Sequence, residues 1–166
     1  RQMCIRDSTF GGIVEQVFEF GSIEEQQIPE FRARSTTPMA AAVLEAITLL
    51  ENRKNSYKSN GVDYFQPWIV LMTDGTPTDE LSVINEATSK TQELINNKKL
   101  TMFTIGIGDD VDMDFLEQFG ASPTKLQGLK FNEFFQWLSQ SVSTISDSMP
   151  GDKINLPPRE GWDSLY

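Results

Sequence analysis

The chain has 166 residues, enough for one domain with a substantial buried core. Its 24 acidic and 14 basic side chains give a formal charge of −10. This charge argues against a nucleic acid or an anionic membrane as a partner, because both would require a basic surface.

The residue types also limit the chemistry of any site. There is no histidine and only one cysteine, Cys4. These counts exclude a Ser-His-Asp triad, a Cys-His pair, a His- or Cys-based zinc cluster and an intrachain disulfide. The remaining ligands are oxygen atoms, which suit hard cations such as Mg²⁺, Mn²⁺ or Ca²⁺. No apolar run approaches the length of a membrane span and no secretory signal is visible, so we expect a cytoplasmic protein.

We interpret the first eight residues as a translated sequencing adapter rather than as part of the natural protein. Residues 2–8 read Gln-Met-Cys-Ile-Arg-Asp-Ser, and the back-translated string resembles a transposon-end adapter used to prepare sequencing libraries. We therefore expect residues 1–8 to be an artefact and set them aside from fold reasoning. The expected organisation is one domain over residues 9–150 and a C-terminal tail over residues 151–166.

The first predicted elements form a hairpin. A strand ends at Thr9-Phe10, Gly11-Gly12 makes a tight turn, and Ile13–Phe20 alternates partly between apolar and polar residues. A polar connection follows, with a short helix expected around Ile23–Ile28.

A long helix is predicted from Thr37-Pro38, because threonine caps free helix amides and proline suits the first helical position. The helical pattern fades over Asn52–Gly61. A strand follows within Tyr64–Thr73, and its continuous apolar run is typical of a strand buried on both faces of a parallel sheet.

Asp74 directly follows this strand and is the first candidate for a functional residue. It is expected at the carboxyl edge of the sheet, which is where open α/β sheets bind ligands. Gly75 removes side-chain bulk beside the acid, so the backbone can turn and a ligand can approach.

Helices and strands alternate over the rest of the chain. We predict the following elements: a helix capped by Thr78 or Asp79 with Leu81 facing inward, a strand at Leu100–Ile107, a short helix capped by Asp112, a short edge strand within Lys125–Lys130, and a last helix capped by Asn132. The last helix is expected to bury Phe134 and Phe135 and to leave Trp137 partly exposed. The tail is expected to dock through Leu156 and Trp162. This alternation predicts an α/β fold: a doubly wound, mostly parallel sheet with helices on both faces.

Three segments resemble von Willebrand factor type A domains. Ser35-Thr-Thr-Pro-Met-Ala-Ala-Ala-Val-Leu is similar to their loop–helix "GGTPMGEAL", although Ser35 and Thr36 stand where the family usually has glycines. Val70–Asp79 is similar to their strand end "LITDGEPTD", and Phe103–Asp109 to the strand "FTIGIGD". Tyr64–Trp68 and Phe134–Leu138 resemble the bacterial tellurium-resistance-associated branch.

The resemblance implies a metal-ion-dependent adhesion site at the carboxyl edge of the sheet. Thr37 matches the family's threonine ligand and Asp74 its aspartate ligand. The family's first ligand loop, Asp-x-Ser-x-Ser, ends the central strand and is absent from this sequence. We therefore expect an N-terminally truncated domain without that strand, which binds Mg²⁺, Mn²⁺ or Ca²⁺ weakly or not at all. In the complete site, the cation would bridge to an acidic residue of a protein partner.

Two alternatives remain beside this non-enzymatic binding module. Thr73–Thr76 resembles the end of the Asp-x-Asp-Gly-Thr signature of haloacid-dehalogenase-like phosphatases. The nucleophile would then be Met72, and a thioether cannot form an acyl-phosphate. The other alternative is a scaffold domain without metal dependence. The sequence identifies neither the partner nor the oligomeric state.

Overall fold

The structure, a computed structural model, describes residues 5–21, 36–120, 122–148 and 154–164. The expected helix around Ile23–Ile28 lies outside these residues. The elements in chain order are β1 (Ile5–Gly11), β2 (Ile13–Gly21), α1 (Met39–Ser59), β3 (Trp68–Thr73), α2 (Leu81–Asn96), β4 (Thr101–Gly106), α3 (Met113–Glu117), β5 (Thr124–Leu126), α4 (Phe131–Ser146) and β6 (Asp163–Ser164). No helix in the described ranges is long and apolar enough to cross a membrane.

Four strands form the main sheet in the order β3-β4-β5-β6. The pairs β3–β4 and β4–β5 are parallel, and β5–β6 is antiparallel. With helices on both of its faces, this sheet confirms the predicted mostly parallel α/β fold. The prediction that the strand near Lys125 lies at an edge is wrong, because the tail adds β6 beyond it.

β1 and β2 form a separate antiparallel hairpin, as predicted. Its turn contains Gly12, whose φ of 75° suits glycine. The amide of Gly12 donates to the carbonyl of Thr36 at 2.9 Å, which holds the turn next to the start of α1. Residues 5–8, set aside in the sequence analysis, are part of β1.

Two apolar cores lie on opposite faces of the main sheet. The first, here called the α1-side core, joins α1, α2 and α3 to one face of β3 and β4; its buried residues are Met39, Ala40, Val43, Ile47, Ile69, Leu71, Ala87, Leu100, Met102, Val111, Leu116 and Phe119. The second, here called the tail-side core, joins α4 and the tail to the other face; its buried residues are Phe103, Ile105, Leu126, Phe134, Trp137 and Trp162. Their separation by one sheet explains why β3 and β4 are apolar on both faces.

The tail docks as predicted, and its position overturns the predicted face of α4. Trp162 is 1% exposed, and Leu156 packs against the tail-side core. Trp137 is only 4% exposed, contrary to prediction, because the tail covers it and the carbonyl of Pro157 accepts a 2.9 Å hydrogen bond from its indole Nε1. Phe135 was predicted to be buried but is 50% exposed, since it lies beside the face that the tail covers.

Helix ends follow the predictions only in part. Asp112 caps α3 by accepting a 2.9 Å hydrogen bond from the amide of Phe115, as predicted. The prediction that Asn132 caps α4 is wrong, because α4 already begins at Phe131 and Lys130 takes the cap position without a side-chain bond. Leu81 was predicted to face inward but is 71% exposed, since it is the first residue of α2 and lies outside the packed turns.

Candidate functional site at the carboxyl edge of the sheet

The end of β3 is a tight turn that presents Asp74 to solvent. The carbonyl of Thr73 accepts a 2.8 Å hydrogen bond from the amide of Ile107, so the strand stays paired to its last residue. The Thr73 hydroxyl then accepts a 3.3 Å hydrogen bond from the amide of Gly75. Asp74, between these two residues, is exposed. The turn therefore fixes the backbone on both sides of the candidate carboxylate.

Thr37 lies at the same edge of the sheet. Its carbonyl accepts a 3.0 Å hydrogen bond from the amide of Thr78, and its own amide donates a 3.0 Å bond to the Thr78 hydroxyl. This two-way contact joins the loop before α1 to the loop after β3. A Cβ built on Gly75 would lie 3.5 Å from Thr37 Oγ1, so the hydroxyl is directly beside the neighbour of Asp74. The structure thus brings the two sequence-predicted site residues, Thr37 and Asp74, to one place.

Asp79 has a role that the sequence did not predict. Its Oδ2 accepts from the amide of Ala40 and its Oδ1 from the amide of Ala41, both at 3.0 Å. Asp79 therefore caps α1 from a distant loop, where a carboxylate satisfies free amides and complements the positive end of the helix dipole.

This arrangement corrects two predicted caps. Thr37 does not cap α1: the cap position is Pro38, and it makes no side-chain bond. Neither Thr78 nor Asp79 caps α2, whose cap position is Glu80, also without a side-chain bond. Residue type correctly indicated that Asp79 is a cap, but proximity in sequence assigned it to the wrong helix. The sequence could have indicated this role only by placing a carboxylate in the loop between the two helices, where it can cap either of them.

The free oxygens of the site are few but of the right kind for a hard cation. Among the described residues, none makes a hydrogen bond or ion pair with the Asp74 carboxylate or the Thr37 hydroxyl. The described ranges contain no group of three or more acidic or other metal-ligating side chains that could hold an ion. Because Mg²⁺ takes six ligands in near-octahedral geometry, the pair could supply only part of such a shell.

An acidic loop lies next to this edge, after β4. Lys125 Nζ donates to Asp109 Oδ1 at 2.8 Å, and this hydrogen bond and the nearby positive charge lower the pKa of Asp109. Asp112 is occupied as the cap of α3. A calcium loop of the EF-hand type is excluded, since Phe115 and Ala121 stand where glycine and glutamate are required.

Met72 is the second-last residue of β3. Its side chain is partly buried and packs against the tail-side core. The residue at the nucleophile position of a haloacid-dehalogenase-like site is therefore part of the packing and has no chemistry to offer at Asp74. Nothing in the geometry favours a phosphatase.

Comparisons with known proteins agree with the fold. The family model for the von Willebrand factor type A domain matches residues 9–144. Among solved structures, the chain is similar to proximal thread matrix protein 1 from the mussel byssus, with a TM-score of 0.52 and 20% identity over 81% of this chain. The match covers 34% of the mussel chain, so this chain corresponds to about a third of that protein's length. At this identity the likeness concerns the fold alone. None of the curated proteins matches the chain.

Proposed function

The chain belongs to the von Willebrand factor type A domain family, and we propose that it binds a protein partner at the carboxyl edge of β3 through a divalent cation. Domains of this family are protein-interaction and adhesion modules and are typically not enzymes. In our proposal Thr37 and Asp74 are two ligands of the cation, which is Mg²⁺ or, in its place, Mn²⁺ or Ca²⁺.

The observation that carries this proposal is the meeting of Thr37 and Asp74 at one edge. The two residues are far apart in sequence, and the paired hydrogen bonds between Thr37 and Thr78 hold them together. A turn at the end of β3 could form without the loop before α1, yet this loop places the Thr37 hydroxyl directly beside Gly75, the neighbour of Asp74. A hydroxyl and a carboxylate with no partner among the described residues are suitable ligands for a hard cation.

The remaining ligands would come from outside this sequence. The family's Asp-x-Ser-x-Ser loop would complete the shell on the protein side. One coordination position would stay open for a carboxylate of the partner, which would be attracted by the positive charge of the ion. This chain, at a net charge of −10, would otherwise repel an acidic partner.

Calorimetric titration with MgCl₂ tests the metal. We expect weak or undetectable binding by the chain alone and clear binding by a version extended at its N-terminus with a strand ending in Asp-x-Ser-x-Ser. In the extended version, Asp74→Asn should abolish the binding heat. Asp63→Asn, which removes the same charge from an exposed loop between α1 and β3, should leave it unchanged. Tight binding by the unextended chain, or equal binding by both variants, would contradict the proposal.

A metal-independent interaction domain is the second candidate. It is favoured by the lack of any group of three metal-ligating side chains within the described ranges. If the extended version also ignores Mg²⁺ and Mn²⁺, this candidate replaces the first.

We further propose that the chain belongs to the tellurium-resistance-associated branch. This rests on Tyr64–Trp68 and Phe134–Leu138 alone. In the fold, Trp68 lies at the start of β3, and Phe134 and Trp137 lie in the tail-side core. The branch segments therefore contribute to packing, and a metal titration does not test them.

A further inference from the structure

The loop before α1 uses every backbone polar group of Thr37 and leaves its hydroxyl unused. The amide donates to the Thr78 hydroxyl at 3.0 Å, and the carbonyl accepts from the amides of Thr78 and Met39 at 3.0 and 2.8 Å. Pro38 has φ −74° and ψ 63°, the geometry of an inverse γ-turn. Thr37 Oγ1, with no hydrogen-bond partner among the described residues, is directed toward Gly75, where an added Cβ would lie 3.5 Å away.

A threonine just before a helix usually uses its hydroxyl in another way. The side chain accepts a hydrogen bond from the amide two or three residues further on, which has no partner within the helix. For Thr37 these amides belong to Met39 and Ala40. The first donates to the Thr37 carbonyl and the second to Asp79 Oδ2. Both amides are therefore taken, and the Thr37 hydroxyl has none left to cap.

The amide of Ala40 requires an acceptor from within the protein. Ala40 is 0% exposed, and a buried amide without a partner costs free energy. Asp79 supplies the acceptor at 3.0 Å and serves the amide of Ala41 at the same distance. A carboxylate forms stronger hydrogen bonds than a neutral hydroxyl and also complements the positive end of the helix dipole. Asp79 is therefore a better acceptor for this amide than the hydroxyl of Thr37.

We propose that Asp79 is a positioning residue for the candidate metal site: by capping α1 in place of Thr37, it leaves the Thr37 hydroxyl free to bind the cation beside Asp74. Without Asp79, the hydroxyl turns back to the amide of Ala40 and is lost to the cation. Asp79 itself is not a ligand in this proposal, since both of its oxygens accept helix amides. The role of the cation rests on the proposed function, whereas the exchange of caps can be measured without any metal.

The first test is amide hydrogen exchange measured by NMR on the metal-free chain. Thr37→Val, which removes the hydroxyl and keeps the shape of the side chain, is introduced with and without Asp79→Ala. While Asp79 is present, Thr37→Val should leave the exchange of the Ala40 amide unchanged, because the hydroxyl is unused. In the Asp79→Ala background, it should speed that exchange by at least about tenfold, because the substitute cap is lost.

The amide of Ala41 is the internal control for this comparison. It lies one residue beyond the reach of the Thr37 hydroxyl, so it should exchange equally fast in both chains that carry Asp79→Ala. Should that variant not fold, Asp79→Leu fills the same space without an acceptor and repeats the comparison. The proposal is overturned if Thr37→Val leaves Ala40 exchange unchanged when Asp79 is replaced, or speeds it while Asp79 is present.

The second test is calorimetric titration of the N-terminally extended version with MgCl₂. Asp79→Ala should weaken Mg²⁺ binding by at least about tenfold, as is usual when a residue that orients a ligand is lost. Adding Thr37→Val to this variant should cause no further loss, whereas the same substitution in the presence of Asp79 should weaken binding. A full further loss would show that Asp79 acts through its charge alone, which also overturns the proposal. If the extended version with both residues intact binds no Mg²⁺, the proposed function fails, and the exchange experiment still shows which residue caps α1.

Discussion

The two borders of the main sheet are built in different ways. At one border the tail folds back: β6 has only two residues, Trp162 is buried, and Arg159 Nη1 donates to Thr124 Oγ1 at 2.9 Å. At the other border, here called the open border, lies β3, which has five apolar residues followed by Thr73 and pairs with β4 alone among the described residues. A short border strand fixed by aromatic packing leaves little backbone for further pairing, whereas β3 has the composition of an interior strand. The candidate site lies at the open border, where Thr37 and Asp74 meet.

The largest expected effect of a substitution is at the closed border. Trp162→Ala should lower the free energy of unfolding by roughly 3–5 kcal/mol, because it removes a large side chain that contacts Phe134 and Trp137. Urea denaturation followed by circular dichroism measures this loss. Leu129→Ala, at a side chain that is 79% exposed, is the control and should change little. Similar losses for both variants would show that the tail does not close the sheet.

A smaller effect is expected at the open border, where Asp79 caps α1. Asp79→Ala should lower the free energy of unfolding by about 0.5–2 kcal/mol, since two helix amides lose their acceptor. Glu80→Ala is the matched control: Glu80 takes the cap position of α2 without a side-chain bond, and its loss should be close to zero. Denaturation curves of the two variants, recorded under the same conditions, measure both losses. Equal losses would contradict the assignment of Asp79 to α1.

Gly75→Ala tests whether metal binding at the open border can be weakened without a large loss of unfolding free energy. The added Cβ would lie 3.5 Å from Thr37 Oγ1, an ordinary contact distance. The free energy of unfolding should change by less than about 1 kcal/mol. Metal binding by the N-terminally extended version should weaken, because the methyl group partly covers the hydroxyl. A large loss of stability would show that the turn tolerates no side chain, and unchanged metal affinity would remove Thr37 from the proposed ligands.

The smallest expected effect concerns the exposed ion pair between Lys125 and Asp109. Lys125→Met should raise the pKa of Asp109 toward its ordinary value, because the carboxylate loses its hydrogen bond and nearby positive charge. A carboxyl with a pKa lowered on folding stabilises the fold above its ordinary pKa and loses that contribution as pH falls through the lowered value. NMR titration of the Asp109 carboxyl measures the change. An unchanged pKa would show that the pair does not persist in solution.

The sequence predicted those features that depend on local pattern. The apolar run of β3, its end at Asp74 and Gly75, and the alternation of helices with strands were sufficient for the α/β fold. The resemblance on Thr37 and Asp74 indicated two residues that the structure places at one edge. Whether they bind a cation stays a prediction.

Features that depend on distant contacts could not be predicted in the same way. Asp79 caps α1 and not the helix beside it, because a loop far along the chain is brought to the start of α1. Trp137 is buried because the tail packs on its side of α4, and Phe135 is exposed because the tail does not cover the side on which it lies. Helical periodicity alone gives the spacing of apolar residues but not the position of a covering segment.

The most direct test of the proposed site is paramagnetic broadening of backbone amides by Mn²⁺, which detects even a weak and incomplete site. We predict that the amides of Thr37, Asp74 and Gly75 broaden at lower Mn²⁺ concentrations than those of Asp110, Asp112 and Asp114 in the neighbouring acidic loop. Asp74→Asn should remove this preference, and Asp63→Asn should not. Broadening that begins in the acidic loop, or that is unaffected by Asp74→Asn, would contradict a metal site at the edge of β3.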